Sequence, residues 1–208
     1  MQVKIVENFL DKEDLESLCS LKLKKTNEDE ISIYSNKIKQ NIVIKSECIP
    51  EKFLKRMNER YHPVALKILE ELNSKKIDLY EYSEFHIVET GAKYRFPIHD
   101  DIPNKLLSGV VYLTPNKNSG TFFYKNHKGD NKKEVEWKIN RGVFFSRLER
   151  ESWHSYEGDG KSNRIVLVYN LMTSKIKEVM KMEKKNYLLS SFRTFVNPYF
   201  SKFFKKVL

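Results

Sequence analysis

A mainly β fold with flanking N-terminal helices is what this chain predicts, and three observations carry the prediction. From Leu79 to Met172 the sequence runs as short β-type segments broken by turns, the pattern of a barrel. Within that region Asn163 to Met172, Asn-Arg-Ile-Val-Leu-Val-Tyr-Asn-Leu-Met, reads as its clearest strand. Ahead of it lie two stretches of helical period, Asp11 to Leu23 and Glu51 to Leu72.

Taken in order, residues 1–7 read as a first strand. Asp11 is a natural N-cap for the helix that follows, with Asp14 three residues on as a loose capping-box analogue. Leu15, Leu18, Leu21 and Leu23 form its apolar stripe. Ile31 to Tyr34 and Asn41 to Ile44 read as short strands. Pro50 opens the second helix, whose buried face is expected from Phe53, Leu54, Met57, Tyr61, Val64, Leu66 and Leu69. Pro63 is expected to kink that helix or divide it in two. Asn116 to Ser119 and Asn126 to Lys133 are polar loops. Ser174 to Lys185 reads as a charged helix, and residues 186–208 as a basic, aromatic tail.

With 208 residues and 40% hydrophobic content, the chain has ample length for one packed domain. The expected division is a single domain over 1–173, with helical support over about 1–78 and a β core over about 79–173, then a helical extension over 174–208. The net charge is +10, but residues 174–208 hold nine Lys/Arg against two Glu, so most of the excess sits in the extension. That distribution argues against nucleic acid as the partner of the main domain. In the tail, Phe192, Phe195, Val196, Tyr199, Phe200, Phe203 and Phe204 interleave with Lys202, Lys205 and Lys206. This spacing suits a covering helix on the main domain, or a contact with a membrane surface or protein partner. No apolar run reaches membrane-spanning length, and the first residues lack a signal-peptide pattern, so a cytoplasmic location is expected. Cys19 and Cys48 show no metal or redox spacing and are expected to be reduced structural thiols.

The chemistry-bearing set is His99-Asp100-Asp101, then His154, then Arg164. In an extended segment residues 99 and 101 share a face while Asp100 points away, so His99 and Asp101 can grip one metal ion. His154, from another strand, completes two imidazoles and one carboxylate, the facial triad that leaves further metal positions open. His127 is a weaker candidate because it lies in a turn-like loop, and His86 and His62 read as packed residues. Arg164 supplies a fixed cation for a carboxylate ligand. A hairpin through Gly158 to Ser162 is expected to fold Arg164 back beside the strand of His154. Trp137 and Trp153 read as core before substrate contacts, and Lys93 and Arg95 as surface charge before steering groups.

The ordered set resembles the Fe(II)- and 2-oxoglutarate-dependent dioxygenase superfamily, its prolyl-4-hydroxylase-like branch most closely. The resemblance covers about residues 1–173. It runs through Val6 to Asp11, Phe85 to Gly91, the His99-x-Asp101 triplet, Gly109 to Thr114 with Gly120 to Phe123, and Arg141 to Phe145 ahead of His154. Two positions depart from the pattern. Thr121 stands where the second Gly of a pair is usual, and the strand before the triplet has no Tyr. Tyr94 and Tyr112 are both candidates for that tyrosine's contact with the co-substrate.

The resemblance implies a double-stranded β-helix, that is, a jelly-roll or cupin-like fold. It implies Fe(II) on His99, Asp101 and His154, and 2-oxoglutarate on the iron with its far carboxylate on Arg164. It further implies O2 as oxidant, succinate and CO2 as products, ascorbate as an optional reductant, and hydroxylation of a C–H bond. A peptide side chain is the leading substrate class, a small amino-acid-like metabolite the next, and nucleic-acid oxidative demethylation the third. Two readings from other classes stand beside it, a non-catalytic binding module on the same barrel and a zinc or manganese cupin-like hydrolase or isomerase. The complete triad with Arg164 weighs against both.

Overall fold

The computed structural model describes residues 2–185, so the expected aromatic and basic tail at 186–208 lies outside the described residues. In chain order the N-terminal part holds β1 (Lys4–Val6), α1 (Lys12–Cys19), β2 (Ile31–Tyr34), β3 (Asn36–Lys39), β4 (Ile42–Ser46) and α2 (Glu51–Asn73). A 3₁₀ turn at Ser74–Leu79 leads into β5 (Tyr82–Thr90), β6 (Arg95–His99), β7 (Lys105–Thr114) and β8 (Thr121–Phe123). Then come β9 (Lys133–Val135), β10 (Gly142–Phe145), β11 (His154–Glu157), β12 (Arg164–Met172) and α3 (Ile176–Met182).

The strands form two antiparallel sheets. The larger has the order β1-β10-β7-β12-β5-β3-β4, with β2 also on β5, and the smaller has the order β6-β11-β8-β9. From β5 onward the chain passes back and forth between them, so that β5, β7, β10 and β12 share the large sheet and β6, β8, β9 and β11 the small one. This winding is the double-stranded β-helix, the jelly-roll fold expected for the chain.

Strand alternation sorts the large sheet into two faces. One face, with Phe85, Ile87, Val111, Leu113, Leu167, Tyr169 and Leu171, packs with Leu54, Met57 and Tyr61 of α2. The opposite face, with Val88, Tyr112, Val143 and Val166, meets Phe123 of the small sheet in a second apolar cluster inside the sandwich. Each large side chain sealed here stabilises the fold by about 1.5–3 kcal/mol relative to exposure. Gly109 is required where β7 passes under Phe144, since a Cβ there would lie 2.4 Å from the ring.

The helices depart from expectation in instructive ways. Asp11 caps α1 by accepting the Asp14 N–H at 2.9 Å, and Glu13 and Asp14 in the first turn favour its dipole. The helix ends at Cys19 rather than Leu23. Leu21 and Leu23 still pack on the core, but from a segment without regular secondary structure. α2 runs unbroken through Pro63. Proline removes a single hydrogen bond there, while Leu54, Met57 and Tyr61 before it and Ala65, Ile68 and Leu69 after it are held on one core. Val64 is 42% exposed because it falls off that stripe. β3 was not expected, as Asn36-Lys37-Ile38-Lys39 offers one apolar residue, Ile38, which is fully buried.

The expected hairpin between β11 and β12 does not form. β11 pairs with β6 and β8, and β12 pairs with β5 and β7, so the intervening turn crosses from one sheet to the other. Both edges of β12 are occupied by long ladders, which leaves none for β11. Among the described residues no helix is long and apolar enough to cross a membrane. Cys19 and Cys48 are free thiols, and burial raises the pKa of each.

Candidate active site

The register of the small sheet brings the two histidines together. His99, the last residue of β6, lies opposite His154, the first of β11, and their ring centres are 4.2 Å apart. Asp101 follows two residues beyond the end of β6 and is 6% exposed. One ligand atom from each of His99, Asp101 and His154 lies within 4.8 Å of the others. Asp100 turns away, as alternation requires, and accepts the Arg150 N–H at 2.7 Å. His127 stays on its loop, its ring 5.8 Å from that of Trp153.

The outer partners of the three residues suit a metal ion. His99 Nδ1 lies 2.9 Å from the Pro97 carbonyl and His154 Nδ1 lies 2.8 Å from the Ser152 carbonyl. A carbonyl only accepts, so both Nδ1 atoms carry the proton and both Nε2 lone pairs are free to ligate. Asp101 receives Lys105 Nζ at 2.7 Å on Oδ1 and the Ser108 hydroxyl at 2.5 Å on Oδ2, which itself lies 4.0 Å from His154 Nε2. Burial, with His154 beside it, pushes the His99 imidazole down to about 3, and burial lowers that of His154 as well. Burial alone would raise the Asp101 carboxyl, but Lys105 and the two imidazoles outweigh it and hold it well below the usual carboxylate range. At neutral pH the set is two neutral nitrogens and one carboxylate, the donor set of a facial-triad metal site.

Arg164 opens β12 on the inner face, opposite Thr90 in register. It is 6% exposed, and its guanidinium carbon lies 3.1 Å from the ring centre of Tyr156 and 5.7 Å from that of Trp137. Among the described residues Nη1 reaches only the Ser119 carbonyl, at 3.4 Å, and Nε has no partner. No carboxylate lies within ion-pair distance of Arg164 among the described residues. Burial accordingly lowers its pKa to about 10. A sealed cation without a counter-ion is costly unless an anion arrives to pair with it.

Of the two tyrosine candidates, Tyr112 is the one beside Arg164, close enough to interact with it electrostatically. Tyr112 is fully buried, stacks on Trp137 with ring centres 4.5 Å apart, and donates to Thr121 Oγ1 at 2.9 Å. Thr121, at the position where glycine is usual, therefore occupies that hydroxyl. Tyr94 is half-buried beside Phe96, whose ring lies edge-on to His99. Sequence reasoning passed over Tyr156, although its place two residues after His154 on one strand put both on the same face. It also passed over Lys105 and Ser108, for which the four-residue step from Asp101 and the parity of β7 were the available signals.

No protein-family model and no curated protein matches the chain. Solved structures do match. A Pseudomonas putida prolyl-4-hydroxylase aligns over 82% of this chain and 92% of its own, with a TM-score of 0.53 and 16% identity. An oxidoreductase of the 2-oxoglutarate–Fe(II) oxygenase family from Burkholderia pseudomallei aligns over 82% and 84%, with a TM-score of 0.57 and 12% identity. A Trichoplax adhaerens prolyl hydroxylase, solved with a peptide fragment of hypoxia inducible factor, aligns over 85% and 86%, with a TM-score of 0.53 and 12% identity. The chain thus has the fold of the 2-oxoglutarate–Fe(II) oxygenases, with a His-Asp-His group in it.

Proposed function

We propose that this chain is an Fe(II)- and 2-oxoglutarate-dependent dioxygenase that hydroxylates a C–H bond. The observation that carries the reading is the pairing of two sites in one sandwich. One is a His-Asp-His set with both Nε2 atoms free, and the other is a buried, unpaired arginine on the facing sheet. A binding module has no use for the first, and a zinc or manganese cupin-like enzyme has no use for the second.

In this reading His99, His154 and one oxygen of Asp101 hold the metal, while Lys105 and Ser108 fix the carboxylate. Arg164 takes the far carboxylate of 2-oxoglutarate as a charge-assisted pair. When bound, the iron and co-substrate supply the oxidising power, with O2 consumed and succinate and CO2 released. Val88, Val166, Phe123 and Phe145 keep the interior between the two sites apolar and exclude water from it.

The substrate belongs at the opposite end of the same inner face. There Glu84 and Asn170 lie in register, with Asn170 also opposite Ser108, and His86 follows two residues along β5. The Asn170 side-chain oxygen is buried without a donor, as is His86 Nδ1. A peptide side chain or a small amino-acid-like metabolite fits such polar recognition.

The test is anaerobic reconstitution with Fe(II) and 2-oxoglutarate, read by the visible charge-transfer band that the pair produces. The band is expected in the wild type, absent in His154→Ala, and absent in Arg164→Ala at the 2-oxoglutarate concentration that just saturates the wild type. A folded, iron-loaded wild type without the band overturns the reading. Succinate release, screened over peptides and free amino acids, then separates the two substrate classes.

A further inference from the structure

The two histidines are fixed by strand register, but Asp101 lies past the end of β6 and has no ladder partner. Something else must hold its main chain. Behind it sits a buried ion cluster built from three distant parts of the sequence. Lys76 comes from the 3₁₀ turn after α2, Arg147 from the loop after β10, and Glu183 from the end of α3, with side chains 0%, 3% and 3% exposed. Glu183 accepts Lys76 Nζ at 2.9 Å on Oε1, and Arg147 Nη1 at 2.6 Å and the Glu149 N–H at 3.2 Å on Oε2. Lys76 also donates to the Arg147 carbonyl. The remaining arm of Arg147 points to the ligand segment, where Nε donates to the main-chain carbonyl of Asp101 at 3.1 Å. Three residues further along the same loop, the Arg150 N–H holds the Asp100 carboxylate.

We infer that Arg147 is a positioning residue for the metal site, that Glu183 sets it, and that α3 is therefore a working part of the active site. The inference rests on the metal reading proposed above. The physical reason is directional. Arg147 gives Nη1 to Glu183 and Nε to Asp101, and both donors lie in one rigid plane, so the ion pair at one end fixes the angle of the donor at the other. Loss of either end lets the main chain at Asp101 rotate. The carboxylate then no longer meets the two imidazoles at a fixed separation. A cluster that served only to fasten α3 would have no need of the Asp101 contact.

The experiment is a Co(II) titration of the full chain, following affinity and the visible spectrum, alongside thermal melts without metal. The variants are Glu183→Gln and Arg147→Lys, with Leu54→Ala as a destabilised control whose side chain lies in the core between α2 and the large sheet, in a different apolar cluster from the one inside the sandwich. Glu183→Gln and Arg147→Lys are expected to bind Co(II) about 10–100-fold more weakly, the usual cost of losing an outer partner, with an altered spectrum. Leu54→Ala is expected to melt lower and keep wild-type affinity and spectrum. Should Arg147→Lys fail to fold, Glu183→Gln, which preserves side-chain shape, decides the matter. Lower melting with unchanged Co(II) affinity and spectrum in the cluster variants overturns the inference alone. A wild type that binds Co(II) no better than His99→Ala overturns the metal reading and this inference with it.

Discussion

The guanidinium of Arg164 stacks on the ring of Tyr156, its central carbon 3.1 Å from the ring centre, although the two residues belong to strands of different sheets. The stack spans the sandwich and aims a buried cation into it with no carboxylate of the described residues in reach. The π face of Tyr156 offers partial compensation and leaves the edge of the guanidinium for an anion.

Replacement of Arg164 by Ala is therefore expected to separate binding from stability. Affinity for 2-oxoglutarate falls by about 10–100-fold, the worth of charge-assisted hydrogen bonds. The ligand-free protein does not melt lower, because a buried charge without a counter-ion has been removed. Calorimetric titration with 2-oxoglutarate, with melts in its absence, checks both halves.

Removal of a ligand is expected to act on metal affinity before fold. His99→Ala and Asp101→Ala weaken Co(II) or Fe(II) binding by more than about 100-fold, beyond the loss that outer partners cause. In the wild type, saturating metal raises stability by about 2.7 kcal/mol at a hundred times its dissociation constant, and a chelator reverses the gain. Neither effect is expected in the variants. Urea unfolding with metal and with chelator provides the comparison.

Acid sensitivity is expected at the junction of β5, β12 and α3. The Glu81 carboxylate accepts the hydroxyl and N–H of Ser174 and then the hydroxyl of Thr173, which draws its pKa from 4.5 to about 2. A depressed carboxyl contributes stability that is complete above its unfolded pKa and is lost as the pH falls toward its folded one. The loss belongs to the window from 4.5 down to about 2. Urea midpoints at about pH 6 and about pH 3 are expected to differ less for Glu81→Gln than for the wild type.

Asp14 is the buried anion of the N-terminal part, fully sealed, with Tyr61 Oη at 2.7 Å, Arg56 Nη2 at 2.5 Å and Arg60 Nη1 at 3.1 Å. It ties α1 to α2 at the turn where Asp11 caps. Asp14→Ala is expected to lower stability by about 1.5–3 kcal/mol, the scale for hydrogen bonds to a charged group. Tyr61→Phe is expected to cost less, since the arginines still satisfy the carboxylate. Equilibrium unfolding of the two variants gives the ranking.

Much of this architecture was legible in the residues. The β core, the capped first helix, the long second helix and the parity that sets His99 and Asp101 against Asp100 all follow from local chemistry, because period and capping act within a few residues. The errors share one cause, which is the reading of a local pattern without its partner. Leu21 and Leu23 looked helical until the chain there proved to be outside any helix. Pro63 was expected to kink the helix or divide it, and the division does not occur, since both halves of α2 sit on one core. β11 and β12 looked like a hairpin until both edges of β12 were found occupied.

The sequence by itself determined the donor types, the sharing of a face by His99 and Asp101, and the presence of a cation ten residues after His154. Tertiary structure decided what surrounds them. It turned Arg164 onto Tyr156 from the opposite sheet, placed Tyr112 rather than Tyr94 beside it, and brought Lys105, Ser108 and Arg147 to Asp101. It also joined Lys76, Arg147 and Glu183 behind the site. Arg164 and Tyr156 meet because the two sheets pack face to face, and Arg147, Lys76 and Glu183 meet because a loop, a 3₁₀ turn and a helix end far apart in the chain pack behind Asp101.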